Sequence, residues 1–165
     1  MSVNHCLLPI ADAELALLLT APATIHAFVE NHASEICQLS TDGIAIMSLT
    51  AEQEGDPLTF MQSGGPSDSS GWIGDEDDQS SHFTYGPASY FKNTFVIEIA
   101  KRLGPWTVDK FAEHCDVDFL DQHNIYPGRW QSPGRKESLI RSFNAYRNCL
   151  ITAAALGKDL LVWNE

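Results

Sequence analysis

The apolar positions near the end of the chain give the clearest pattern. Leu139, Phe143, Tyr146, Leu150 and Ala153 recur at spacings of three and four, and Ile140, Cys149 and Ala154 widen the stripe. This is the signature of a long helix with one face on a core. Ser132 suits its N-cap and Pro133 its first position, where no backbone N–H is needed. Arg135, Arg141, Arg147 and Asn148 fall mostly off the stripe and are expected in water. Gly157 is placed to end the helix, and Lys158 suits the negative end of its dipole. Leu160-Leu161-Val162-Trp163 then reads as a short buried strand. A helix fed into a strand through one glycine implies packing on the sheet that holds the strand.

The preceding segments are read in the same way. Ser2 to Ile10 predicts a first strand, Asp12 a cap for a helix over Ala13 to Thr20, and Pro22 the start of another helix. Ile25, Phe28, Val29 and His32 lie on one face of that second helix. Glu35 to Leu49 fits a helix entered at Thr41 or Asp42, although Ile44 to Met47 also fits a strand. Residues 52–82 form a long acidic loop rich in Gly and Ser, with a brief strand over Leu58 to Met61 and Trp72-Ile73 as its apolar anchor. A connection of this length inside a compact domain is usually functional or mobile. Tyr85-Gly86-Pro87 predicts a turn, Ala88 to Phe91 an extended segment, and Asn93 or Thr94 the cap of a helix to about Leu103. Thr107 and Asp116 cap two short helices, the second with Phe119 and Leu120 inward. Asn124 to Trp130, with Pro127-Gly128, is the turn before the long helix.

Composition adds one strong feature. The 165 residues fit one domain, 1–165, and carry a net charge of −12. Residues 1–91 hold 13 acidic residues and no lysine or arginine, whereas residues 92–165 hold 9 acidic and 10 basic ones. Nucleic acid and anionic membrane surfaces are poor partners for such a chain, because affinity for both comes from Lys and Arg. A basic protein is the complementary partner, and the plainer alternative is an acidic surface that only confers solubility. No apolar run has the length of a membrane span. Leu15 to Ala23 resembles an export signal only faintly, since Asp12 and Glu14 stand where positive charge belongs. Cys6, Cys37, Cys115 and Cys149 are widely spaced without a CxxC pair, so reduced thiols in a cytoplasmic protein are expected.

Several motifs taken in order resemble the YfbM-like family of bacterial domains of unknown function. They are Gly55-Asp56-Pro57-Leu58, Gly64-Gly65, Ile73-Gly74-Asp75-Glu76, Tyr85 to Phe91, Ile125 to Trp130, and the helix and strand from Tyr146 to Trp163. Members tend to carry a Trp and a His in the helix before Gly-Asp-Pro. This chain reads Asp42-Gly43-Ile44-Ala45-Ile46-Met47 there, and a site built on that pair would be lacking. The loop also carries Ser67-Asp68-Ser69-Ser70 in addition. The resemblance implies an α/β domain with helices around a small sheet, and no catalytic residue to carry over.

Candidate chemistry is sparse. Asp75-Glu76-Asp77-Asp78 lacks the alternating ligands and central Gly of a calcium loop, so a solvated acidic loop is the better reading. His114, Cys115 and His123 lack a second ligand pair at zinc spacing and suit the ends of helices instead. No nucleophile elbow, phosphate loop or dinucleotide fingerprint is present, and neither a metal nor a cofactor is implied. The best enzymatic constellation is Asp56, Asp75, His82 and Tyr85, a hydrolase-like cluster around one loop.

The sequence therefore predicts an α/β fold: a single compact domain with a small mixed sheet, several helices, a long C-terminal helix and a closing strand. The favoured function is a non-enzymatic acidic binding protein, most concretely an immunity protein that covers the active site of a basic toxin or effector. Glu52, Glu54, Asp56, Asp68, Trp72, Asp75, Glu76, Asp77 and Asp78 would form its partner-binding surface.

Overall fold

The closing strand lies at the centre of the molecule. The computed structural model describes residues 4–39, 42–50, 68–75, 77 and 79–165. Strand β1 (His5–Ile10) leads to helices α1 (Asp12–Thr20) and α2 (Ile25–Asn31), then to strand β2 (Cys37–Gln38) and helix α3 (Gly43–Thr50). Strands β3 (Ser70–Trp72), β4 (His82–Phe83), β5 (Gly86–Pro87) and β6 (Ser89–Phe91) precede α4 (Asn93–Leu103). Helices α5 (Val108–His114), α6 (Val117–Gln122) and α7 (Arg135–Ala155) follow, and β7 (Asp159–Asn164) ends the fold. The main sheet runs β2-β1-β7-β6-β3, with β4 and β5 as a separate hairpin. The pairings of this sheet, expected to be mixed, are all antiparallel among the described residues.

Alternation along β7 divides the core into two. Leu160 and Val162 join a cluster with Leu7, α3 to α7 and Trp130, whereas Leu161 and Trp163 join Cys6, Leu8, Ile10, α1, α2, Ile73 and Ala88. Side chains alternate across a strand, so β7 and β1 need cover on both faces. The large layer has α7 as its spine. Leu139, Phe143, Tyr146, Leu150 and Ala153 are its buried residues, matching the stripe read from the sequence. Phe143 stacks on Phe111 with ring centroids 4.0 Å apart.

Helix ends depart from the sequence expectations, because tertiary partners supply caps that local residues do not. Ser132 contributes its carbonyl, not its hydroxyl, to the start of α7; the cap is Gly134 at φ 80°, and the helix begins at Arg135. At α4 neither Asn93 nor Thr94 caps. The buried Asp159 carboxylate of β7 accepts the Asn93 N–H at 2.7 Å and places its charge at the positive helix end. Asp12 is the first residue of α1 and not its cap; Glu14 accepts the Ala11 N–H at 2.7 Å instead. Asp12 is then free to pair with Lys92 at 2.7 Å, which also reaches Asp159 at 3.4 Å. Thr107 and Asp116 cap α5 and α6 as expected, but only Leu120 points fully inward while Phe119 is partly exposed.

Two arginines expected in water have structural work. Arg135 lies over the Trp130 ring and pairs with buried Asp42, which also accepts the Ser142 hydroxyl at 2.6 Å. Arg147 donates to the Trp106 carbonyl at 2.7 Å. The ambiguous segment before residue 50 is a helix, although the strand Cys37–Gln38 was not legible. The strand predicted over Leu58 to Met61 lies outside the described residues. No single helix among the described residues is long and apolar enough to cross a membrane.

Removing Phe143 would empty a fully buried ring site between two packed helices. Phe143→Ala should cost about 3–5 kcal/mol in urea unfolding. An unchanged midpoint would mean that the core is not built around this ring.

Burial also sets a pH window. It pushes the Cys6 thiol up to about 12 and raises Tyr146 and Cys115. These groups stay neutral in the fold but ionise in the unfolded chain, so their contribution is complete below about pH 9 and falls as pH rises. Burial lowers His5, outweighing its bond to Asn164, and its Nε2 is buried with no hydrogen-bond partner among the described residues. A neutral His5 is favoured in the fold, so its contribution is complete above pH 6.5 and is lost as pH falls. Urea midpoints measured against pH should plateau between these limits and decline on both sides. A midpoint still rising at about pH 10 would contradict the alkaline arm.

Candidate functional site

Among the described residues, the acidic loop enters the smaller layer at Ile73, where apolar side chains pin it. Ile73 is fully buried, and its N–H donates to the Ala88 carbonyl at 2.8 Å. Phe83 packs on the Trp163 ring at 5.2 Å and meets His26 of α2 at 4.9 Å. Of the expected anchor pair, Ile73 alone anchors; Trp72 is 53% exposed, because side chains alternate along β3 and its pairing with Ser89 places it at the sheet edge on the face opposite Ile73. Two glycines permit these approaches. A Cβ on Gly71 would lie 2.8 Å from the Tyr90 ring across the strand pair. Gly74 has φ +88°, and a Cβ there would collide with the Ser81 hydroxyl.

Of the partner-binding candidates, Asp68, Trp72, Asp75 and Asp77 are exposed on this segment. Glu52, Glu54, Asp56, Glu76 and Asp78 lie outside the described residues. Tyr85, at the tip of the β4–β5 hairpin, is 49% exposed and adds a second large aromatic side chain to the same stretch. For the enzymatic constellation, the structure brings His82 to Asp75 through the main chain: His82 Nε2 lies 3.3 Å from the Asp75 carbonyl oxygen. No cluster of three or more His, Cys, Asp or Glu side chains arranged for a metal occurs among the described residues. His114 and His123 sit at the ends of α5 and α6, where each Nδ1 meets the carbonyl four residues earlier at 2.9 Å. His32 does the same at the end of α2 at 2.8 Å.

A cysteine contact escaped the sequence reading. Cys37 of β2 and Cys149 of α7 are hydrogen-bonded through their side chains, although more than a hundred residues separate them. Only the packing of the β2 edge against α7 brings them together, and no spacing rule reports such a pair.

A family model for a domain of unknown function, DUF1877, matches residues 1–163. The chain belongs to this family. The resemblance to YfbM-like domains drawn from the motifs is thereby borne out, and DUF1877 covers nearly the whole described fold. The crystal structure of YfbM from Escherichia coli, a protein of unknown function, is similar with a TM-score of 0.56. The two are 17% identical, and the match covers 98% of each chain, so the likeness is one of fold. A search of curated proteins returns no match.

The geometry at Gly74 is open to test. Gly74→Ala combines a left-handed backbone with a collision and should lower stability by more than about 1 kcal/mol. Gly86→Ala meets open space and should cost less. Equal urea midpoints for the two variants would show that the Ser81 contact does not constrain the loop.

Proposed function

We propose that this DUF1877 domain is a non-enzymatic acidic binding protein whose smaller layer docks a basic protein. Its most concrete form is an immunity protein that neutralises a bacterial toxin or effector by covering a basic active site. The observation that carries this reading is the charge content of that layer. Its cover comes from α1, α2 and the segment 73–88, all within the part of the chain that has no lysine or arginine. Glu30, Glu35, Asp75 and Asp77 are exposed there, and Asp68 is exposed just before β3. The bordering cations Lys92 and Lys158 are engaged with Asp12, Asp159 and Glu35. A surface of one sign acts beyond contact range, steering a cationic partner and raising its association rate. Tyr85 supplies exposed aromatic area of the kind that anchors interfaces, whereas Trp72, paired with Ser89, is exposed at the sheet edge on the other face.

The test pairs this protein with purified basic toxins encoded beside its gene. Binding should be direct, and its association rate should fall steeply with added salt. Combined reversal of Asp68, Asp75 and Asp77 to lysine should slow association by about tenfold or more. Binding that ignores both salt and charge reversal would discard the electrostatic reading, and the absence of any partner would discard the immunity form.

A further inference from the structure

We propose that Cys37 and Cys149 form an oxidisable dithiol site, at which hydrogen peroxide closes a disulfide between β2 and α7. The two thiols are already hydrogen-bonded, so their sulfurs have to close from that contact to about 2.05 Å. The element that can move to allow this is β2. It is two residues long, lies at the sheet edge and pairs only with β1. Cys149 is held in the middle of a 21-residue helix, next to the buried Tyr146.

The other two cysteines are poor competitors. Cys6 is buried in the smaller core and Cys115 in the larger one, whereas Cys37 and Cys149 are both partly exposed. Burial raises Cys6 and Cys115, which keeps them protonated. Within the pair the roles differ. The hydrogen bond from Cys149 lowers Cys37, and the same bond together with burial raises Cys149. The attack is assigned to Cys37, on the short edge strand that can move, and resolution to Cys149, which the long helix holds in place; the direction of the two shifts agrees.

The chemistry balances in two steps. The Cys37 thiolate attacks one peroxide oxygen, the O–O bond breaks, and the hydroxide released takes up a proton to become water. This leaves a sulfenic acid on Cys37, its sulfur oxidised by two electrons. The Cys149 sulfur then attacks the Cys37 sulfur, the S–O bond breaks, and the departing oxygen leaves as a second water carrying the Cys149 proton. One peroxide is reduced for each disulfide formed.

The purified, fully reduced protein is treated with hydrogen peroxide, its free thiols are counted, and the unreduced digest is mapped by mass spectrometry. The expected result is the loss of two of the four thiols, one disulfide joining Cys37 to Cys149, and free Cys6 and Cys115. Cys149→Ser should leave Cys37 as a sulfenic acid that dimedone traps, and Cys37→Ser should leave Cys149 a free thiol at the same peroxide dose. Four surviving thiols in the wild-type protein, or oxidation of Cys6 or Cys115 at an equal rate, would overturn the proposal. Because the wild-type measurement needs no variant, a substitution that fails to fold leaves the test intact.

Discussion

The fold depends on a central strand that is apolar on both faces. Leu160, Leu161, Val162 and Trp163 are all buried, and the pleat sends alternate side chains into different cores. Burying each such side chain is worth roughly 1.5–3 kcal/mol, and that gain is available only if something covers each face. One cover cannot serve both. The chain therefore builds a thick layer from α3 to α7 and a thinner one from α1, α2 and the segment that follows β3. The antiparallel neighbours β1 and β6 then need no helical crossover to reach β7, and the helices are left to act as cover.

The order of covering also decides where charge goes. Apart from Leu39 and α3, the cover of the thick face is drawn from the half of the chain that contains every lysine and arginine, and the cover of the thin face from the half that contains none. A sequence asymmetry that could have been averaged out by folding is thus preserved as a difference between two sides of a sheet. Lys92 stands at the border: it bridges Asp12 of α1 and Asp159 of β7, and Asp12 with its hydrogen bond holds the Lys92 ammonium above its ordinary range. The border is electrostatically closed, so the carboxylates further out on the thin layer have no cation of this half of the chain beside them.

What could be read from the sequence follows from how local each signal is. The α7 stripe was legible to the residue, because a helix face on a core leaves a periodic mark. The caps of α5 and α6 were legible because Thr107 and Asp116 bond within their own first turn. The start of α4 was not, since its cap arrives from Asp159, far along the chain. The same reason hid the partners of Asp42, the place of Arg147 and the contact between Cys37 and Cys149. For the candidate surface, composition marked the segment but could not separate Ile73, which is buried, from Trp72, which is not. That distinction is made by the alternation of side chains at the end of β3, an edge strand with little cover on the face that Trp72 takes.

The motifs that carry the family resemblance are largely explained by the scaffold. Trp130 is buried, donates its ring N–H to the Ile125 carbonyl at 2.8 Å, and is capped at its own backbone N–H by Asp121 at 2.9 Å. Ile73, Ala88 and Phe91 are core, and Gly74 is required by its backbone and by Ser81. Side chains committed to holding the fold are poor candidates for recognising a partner. A likeness at 17% identity over the whole chain therefore transmits a framework, and recognition has to come from what the framework leaves in water. On the thin layer that means Asp75, Asp77 and Tyr85 among the described residues of this segment, and of these Asp77 lies outside the family motifs. Two proteins of this fold can for that reason share every buried contact described above and still bind different molecules.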